Sequence, residues 1–427
     1  MKRDAIRRWR GLKSLVHDAV DATTDLVDLG HESTSRAVTA VTDRIEPVRE
    51  PARLVDDVRR VATRGVLGTI RGVNRAVAVV TDAALDYAER AADPPAEAIE
   101  ALPMRSDTTS SGPWIADAAL GLVNAAVGDH LERRHNGLDL EMALRVNDHY
   151  VPLIPEVLAR VVPEPSRRVA VFVHGLATTE WSWCLEAEGY HGDPAVTFGS
   201  LLQADAGVLP VYVRYNTGRR VSQNGRRLAE RLEQFVQAYP GDIDDLSLVG
   251  HSMGGLVVRS ACHYGHAEGM RWPELVERVF CLGAPHRGAP LAKLGHALTE
   301  TLEQIDLPAT RITARILAGR SEGIQDLRNG AVIDEEWLRA DPDAISDARM
   351  LPAARYYFVS ATLTEDPDHA VGKLIGDLLV RVPSSAGPAF DEAHFAIETT
   401  RYGGVMHHQL QNHPAVYAQL RAAFDDA

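Results

Sequence analysis

Cysteine is scarce: only Cys184, Cys262 and Cys281 occur in 427 residues, each in or beside an apolar segment and none at metal-ligand spacing from another. This argues against a disulfide framework and fits reduced, buried thiols. Long hydrophobic runs are also missing. No stretch approaches the ~18–20 apolar residues of a membrane-spanning helix. The basic N-terminus MKRDAIRRWRGLKSL lacks the apolar core of a signal peptide. The expected compartment is therefore the cytoplasm. Nor is there an excess of base. Lys and Arg number 45 against 59 Asp and Glu, a formal charge of −14, which argues against nucleic acid as a partner because phosphate contacts need surplus cations. No repeat of fixed period is found.

The periodicity of the chain changes along its length. From Leu12 to about Ala91 apolar residues recur at helical spacing (Leu12, Leu15, Val16, Ala19, Val20; then Ile70, Val73, Val77, Val80), interrupted by Pro47 and Pro51. Residues 1–91 thus read as an amphipathic helical region. Residues 92–134 read as a Pro- and Ser-rich linker followed by a helix from Trp114 to Arg134. Beyond it, GLDLEMALRV shifts toward strand periodicity, and residues 135–427 alternate short apolar runs with amphipathic helices. The strand candidates are Arg167 to Gly175, Val208 to Tyr215, Asp245 to Gly250, Val276 to Gly283, Arg355 to Thr362 and Asp377 to Pro383. Near-continuous apolar strands separated by helices predict an α/β domain with a mostly parallel sheet covered on both faces.

One turn concentrates the chemistry. Gly250-His251-Ser252-Met253-Gly254 follows the apolar strand Leu246 to Val249 and precedes the helical run LVVRSACHYG. A G-x-S-x-G sequence in a strand–turn–helix setting puts the serine on a sharp, strained turn at a helix N-terminus. Cβ atoms at Gly250 and Gly254 would collide with the neighbouring strand and helix. Ser252 is the candidate nucleophile, and His251 reads as a bystander. A neutral serine is a weak nucleophile, so a base, an orienting acid and an oxyanion hole are also required. The backbone N–H of Met253 and that of Leu176, after the strand exit His174-Gly175, are the candidate donors. His174 itself reads as structural.

Toward the C-terminus, GGVMHHQLQNHPAVYAQL offers His407, His408 and His413. No carboxylate or cysteine is spaced to complete a metal site from them. His413 precedes Pro414 and suits the first turn of the last helix, leaving His407 and His408 as candidate bases. GDLLVRVPSSAG places Asp377 at a turn opening a strand, 125 residues after Ser252 and 30 before His407. Asp366 and Asp368 are alternative acids. The chain order Ser, Asp, His is that of α/β-hydrolases.

Taken together, VFVHGL, VYVRYNTGRRVSQNGRRLAERLE, LVGHSMGGLVVRSA, VFCLGAPHRGAPLAKLG, GDLLVRVPSSAG and HHQLQNHPAVYAQL resemble α/β-hydrolase fold lipases and esterases. The resemblance is strongest to bacterial proteins similar to the GPI inositol-deacylase (PGAP1-like) group, and it covers about 60% of the chain. It implies serine ester hydrolysis through an acyl-enzyme, on an acyl or lipid-like ester, with no metal or organic cofactor. In the family pattern the histidine six residues before the HP pair is catalytic, which implies His407, and the acid lies in the GD opening the last strand, which implies Asp377. The adjacent pair of histidines departs from that pattern. The residues after LGAPHRGAP, 288–354, are expected to form a cap over an acyl pocket. Trp181, Trp183 and Trp337 read as packing residues, with the lining of a hydrophobic pocket as the alternative.

The first thirteen residues carry Lys2, Arg3, Arg7, Arg8, Arg10 and Lys13 against Asp4, with Trp9 among them. This pattern fits a helical bundle that packs on the catalytic domain or drives dimerisation, or a basic amphipathic helix peripheral to a lipid surface. Alternatives to hydrolysis are acyl transfer with the same machinery, and a non-catalytic lipid- or granule-binding protein on a hydrolase scaffold.

Overall fold

The computed structural model describes residues 7–18, 21, 74–75, 78, 82, 112–288, 321–337, 346–362, 364–366 and 395–425. The chain divides into two units, residues 1–97 with 133–138, and residues 98–132 with 139–427. In the first, residues 7–18 are helical. A Cβ on Gly11 would stand 2.4 Å from Asn136 Oδ1, and Asn136 Nδ2 donates to the Gly11 carbonyl at 3.0 Å. Away from that contact, Trp9, Leu12 and Val16 share one helical face and are exposed at 59, 43 and 53%. Most of the helical region expected over 12–91 lies outside the described residues.

The second unit is built on an eight-stranded sheet. Its elements are α1 (Gly112–Arg133), β1 (Ala143–Val146), β2 (His149–Tyr150), α2 (Pro155–Val161), β3 (Arg168–Val173), α3 (Phe198–Ala206), β4 (Leu209–Arg214), α4 (Val221–Ala238), β5 (Asp245–His251), α5 (Met253–Ala267), β6 (Val276–Leu282), α6 (Glu322–Asn329), β7 (Arg355–Thr362), β8 (Ile397–Gly403) and α7 (Pro414–Ala423). The strand order is β2-β1-β4-β3-β5-β6-β7-β8. β1 pairs antiparallel with β2 and β4, and every pairing from β4 to β8 is parallel. This is the mostly parallel, doubly covered sheet of the α/β-hydrolase fold.

Strand alternation explains why the apolar runs are continuous. Val169, Val171 and Val173 of β3 enter one core layer with Leu248, Val279 and Phe358, under Leu228, Leu232 and Phe235 of α4 and Leu256 and Val257 of α5. Ala170 and Phe172 enter the opposite layer with Val249, Phe280 and Tyr357, against Trp183, Phe198 of α3 and Val416 and Leu420 of α7. Both faces are dry, so both parities must be apolar. Each buried Val, Leu or Phe side chain contributes about 1.5–3 kcal/mol. Five of the six predicted strands are present at or within two residues of their expected limits. The sixth, Asp377 to Pro383, lies outside the described residues. The last described strand is β8, IETTRYG, which had not been expected. Four of its residues are half-buried or exposed polar side chains at the sheet edge, so it carries no apolar run to announce it.

Of the segment read as a cap, residues 289–320 and 338–345 lie outside the described residues. The described remainder is core: Ile324 and Leu327 of α6 and Val332, Ile333, Met350 and Leu351 are buried in the α4/α5 layer. Trp181 and Trp183 are buried, as packing residues should be.

A buried charge cluster fastens α1 to the sheet. At the end of β4, Arg214 donates to Glu180 Oε1 and Oε2 at 2.8 and 2.9 Å and to Asp117 Oδ2 of α1 at 2.6 Å. Trp181 Nε1 also donates to Asp117 Oδ2, at 2.9 Å, and the Tyr150 hydroxyl donates to Glu180. Burial alone would raise the Glu180 carboxyl, but the Arg214 guanidinium and the Tyr150 hydroxyl hold it at about 2. Replacing Arg214 with Met should leave two carboxylates buried without their cation. The expected loss of stability is about 3–5 kcal/mol, read as a lowered midpoint in urea unfolding, and a Glu180→Gln variant should lose less.

Candidate active site

The turn between β5 and α5 is strained where the sequence places the serine. Ser252 has φ 53° and ψ −122°, a left-handed backbone that costs a non-glycine residue on the order of 1–3 kcal/mol. Its surroundings hold it there. The Ser252 N–H donates to the Leu282 carbonyl of β6 at 2.8 Å, and the Gly255 N–H donates to the Ser252 carbonyl at 3.0 Å. A Cβ on Gly250 would stand 2.5 Å from the Gly254 carbonyl oxygen, and one on Gly254 would stand 2.2 Å from that of Val173 in β3. No side chain fits at either position, which is the physical reason for the two glycines. The turn opens α5, where Met253 is the first helical residue and its N–H has no partner four residues back.

Beside it, β3 ends in His174-Gly175-Leu176. A Cβ on Gly175 would lie 3.1 Å from Ser252 Cβ and 3.2 Å from His251 Nδ1, so this loop runs directly past the serine. The loop is braced from several sides. The Tyr215 hydroxyl donates to the His174 carbonyl at 2.8 Å, Thr178 Oγ1 donates to that of Gly175 at 2.9 Å, and the Ala177 N–H donates to Thr217 Oγ1 at 3.3 Å. Leu122 and Ala125 of α1 pack on Leu176 and Ala177. The clamp on Arg214 therefore also steadies the loop carrying Leu176. His174 is fully buried and stacked on Tyr215 at 4.4 Å, in keeping with a structural role.

The three C-terminal histidines face different partners. His407 begins a short 3-10 turn, His407–Gln411. It lies over the end of β6: a Cβ on Gly283, where φ is 62°, would stand 3.0 Å from His407 Cε1. Its ring is 4.8 Å from that of His251. His408 instead directs Nε2 toward Glu186 Oε1 at 3.3 Å. His413 caps α7, its Nδ1 accepting from the Ala415 N–H at 3.2 Å, as its position before Pro414 predicts. The 3-10 turn is tied to the opposite loop, with Asn412 Nδ2 donating to the Leu185 and Val196 carbonyls at 3.3 and 3.2 Å and Ser182 Oγ donating to Gln411 Oε1 at 3.2 Å.

Of the candidate acids, Asp377 and Asp368 lie outside the described residues, and Asp366 is exposed on the turn after β7. Ser252, Met253, Gly175, Leu176 and His407 are thus gathered at the C-terminal ends of β3, β5 and β6. His251 is not a bystander: its Nε2 lies 3.0 Å from the His407 carbonyl oxygen. A carbonyl only accepts, so Nε2 carries the proton. Strand parity was the available signal, since His251 shares the face of Val249, on which α7 packs.

Residues 164–289 match the model of the family described as "Putative serine esterase (DUF676)". The chain resembles serine esterases of the α/β-hydrolase fold. Among solved structures it is similar to the mature lipase BlEst2 of Bacillus licheniformis, at 19% identity and a TM-score of 0.39 over 60% of this chain and 93% of that one. It is similar also to the Pyrococcus furiosus esterase Pf2001, at 11% identity and 0.36 over 61% and 81%, and to the Pyrobaculum calidifontis esterase, at 13% identity and 0.34 over 76% and 94%. No curated protein matches the sequence. The fold assignment rests on the strand order and the strained turn rather than on these likenesses.

Buried imidazoles give the fold an acid limit. Burial lowers His174 to about 4. Burial, reinforced by His407, takes His251 well below its ordinary value, and burial with Arg259 does the same to His286. The unfolded chain binds these protons near pH 6.5 and the folded chain only at lower pH, so the stability they confer is full above about pH 6.5 and is lost as pH falls toward 4. For His174 alone this is on the order of 3 kcal/mol. Thermal unfolding midpoints measured from pH 8 down to 4 should be level above about 6.5 and fall below it, and a His174→Gln variant should flatten the fall.

Proposed function

We propose that the chain is a serine carboxylic ester hydrolase acting through an acyl-enzyme on an acyl or lipid-like ester. The observation that carries this reading is Ser252 on a left-handed turn at the N-terminus of α5, with His407 on the 3-10 turn that lies over the end of β6. A hydroxyl held there can meet a carbonyl carbon without rearrangement, and the helix N-terminus favours the negative charge that develops. In this mechanism His407 takes the Ser252 proton as the oxygen attacks, and the ester carbonyl becomes an oxyanion between the N–H groups of Leu176 and Met253. His407 then returns the proton to the departing alcohol. Water, deprotonated by His407, cleaves the acyl-enzyme and restores the serine. Asp377 holds the imidazole in the required tautomer. Each oxyanion donor contributes about 10²–10³ in rate.

Labelling with a fluorophosphonate tests the reading. Wild type should label and Ser252→Ala should not. Hydrolysis of p-nitrophenyl esters should fall by more than about 10³-fold in Ser252→Ala, His407→Ala and Asp377→Asn, and by less than about tenfold in His408→Ala and Asp366→Asn. A folded wild type that neither labels nor hydrolyses any chain length would overturn the assignment. Adding an alcohol acceptor separates hydrolysis from acyl transfer.

We also propose that residues 7–18 contact an anionic lipid surface. Supporting this are the exposed Trp9, Leu12 and Val16 on one face and the basic side chains Arg7, Arg8 and Arg10 on the same short segment. Apolar side chains buried at a headgroup boundary and cations near anionic lipid act together in such helices. Among the described residues no helix is long and apolar enough to cross a membrane, so the contact would be peripheral. The chain should float with phosphatidylglycerol vesicles at low salt, less so at high salt, and not with phosphatidylcholine alone. Alanine at Trp9, Leu12 and Val16 together should abolish flotation, and wild type that never floats excludes the contact.

A further inference from the structure

The residue before the serine joins two elements that the proposed chemistry needs in register. His251 is the last residue of β5 and is paired with Leu282 of β6, so its backbone is fixed by the sheet. Its side chain, on the face opposite Leu248, is 5% exposed. The ring meets Trp183 edge-on at 6.4 Å and 72°, and Nδ1 lies toward Gly175, 3.2 Å from where a Cβ would stand. Nε2 then reaches the His407 carbonyl at 3.0 Å. One imidazole is thereby in contact with the turn carrying Ser252, the loop carrying Leu176 and the backbone of His407.

We propose that His251 is a positioning residue: its Nε2–H holds the His407 carbonyl and so sets the distance between the loop bearing the base and the turn bearing the nucleophile. This rests on the reading of Ser252 and His407 as nucleophile and base. The rest of that loop is tied to residues 182–196 instead, through Gln411 and Asn412. Ahead of His407 the Gly404 and Val405 N–H groups hold the chain to Thr364 and Thr362, whereas the His251 bond ties His407 itself to β5, the strand that carries the nucleophile's turn; a base misplaced by about 1 Å can cost about 10²-fold in rate.

Two variants separate positioning from packing. His251→Phe keeps a ring in the pocket and removes the donor, whereas His251→Gln keeps an N–H at about the reach of Nε2. With p-nitrophenyl esters, His251→Phe should lower kcat at least tenfold with KM within about twofold, and slow fluorophosphonate labelling of Ser252 in parallel. His251→Gln should recover most of both. A folded His251→Phe with kcat within twofold of wild type would overturn the proposal, as would equal losses in the two variants. A measurement on wild type covers the case in which the variants do not fold. In protein with 15N-labelled histidine, His251 should show the Nε2–H tautomer, and the Nδ1–H tautomer would refute the bond. Should Ser252→Ala retain activity, the nucleophile assignment fails, whatever His251 does.

Discussion

The left-handed backbone at Ser252 is the constraint from which the rest of the site follows. It persists because both sides of the turn are closed. Gly250 meets the first turn of α5 and Gly254 meets the end of β3 at distances no Cβ allows, and the serine N–H is spent on β6. The strain is thus balanced by three parallel strands and a helix packed in two dry layers. A softer core would let the turn relax, lowering the hydroxyl out of the position above the sheet.

Around that turn the molecule uses buried polar groups as fasteners. Arg214 bridges the buried carboxylates of Glu180 and Asp117, and through Asp117 it pins α1, whose Leu122 and Ala125 back the loop after β3. Such an arrangement adds little net stability over an apolar one, because desolvation offsets much of the attraction. What it supplies is direction: a guanidinium fork donates to its carboxylates in few orientations. The same economy operates at His251, where one imidazole is kept neutral by burial and donates to the backbone of His407.

Much of this was legible in the sequence. The strands β3 to β7 are apolar at both parities because both faces are covered, and that pattern needs no tertiary knowledge to read. The turn at Ser252 announces itself through glycines flanking a strand end and a helix start, and the cap at His413 through the proline after it. β8 was hidden because IETTRYG lies at the sheet edge, where polar side chains meet water and the period-2 signal weakens. The role of His251 was hidden for another reason: its partner is 156 residues away, and the partner atom is a main-chain carbonyl that every residue possesses.

The adjacent pair His407 and His408 marks the division most clearly. The α/β class, the strained serine turn, the strand exit at Gly175 and a C-terminal loop rich in imidazole could all be read from the sequence, because each of these depends on local sterics and hydrophobic periodicity. Periodicity and local chemistry did not separate two neighbouring histidines, and it was the family resemblance that pointed to His407. Only the tertiary structure turned one toward His251 and Gly283 and the other toward Glu186, because a 3-10 turn sends consecutive side chains about 120° apart and distant strands decide what each then meets.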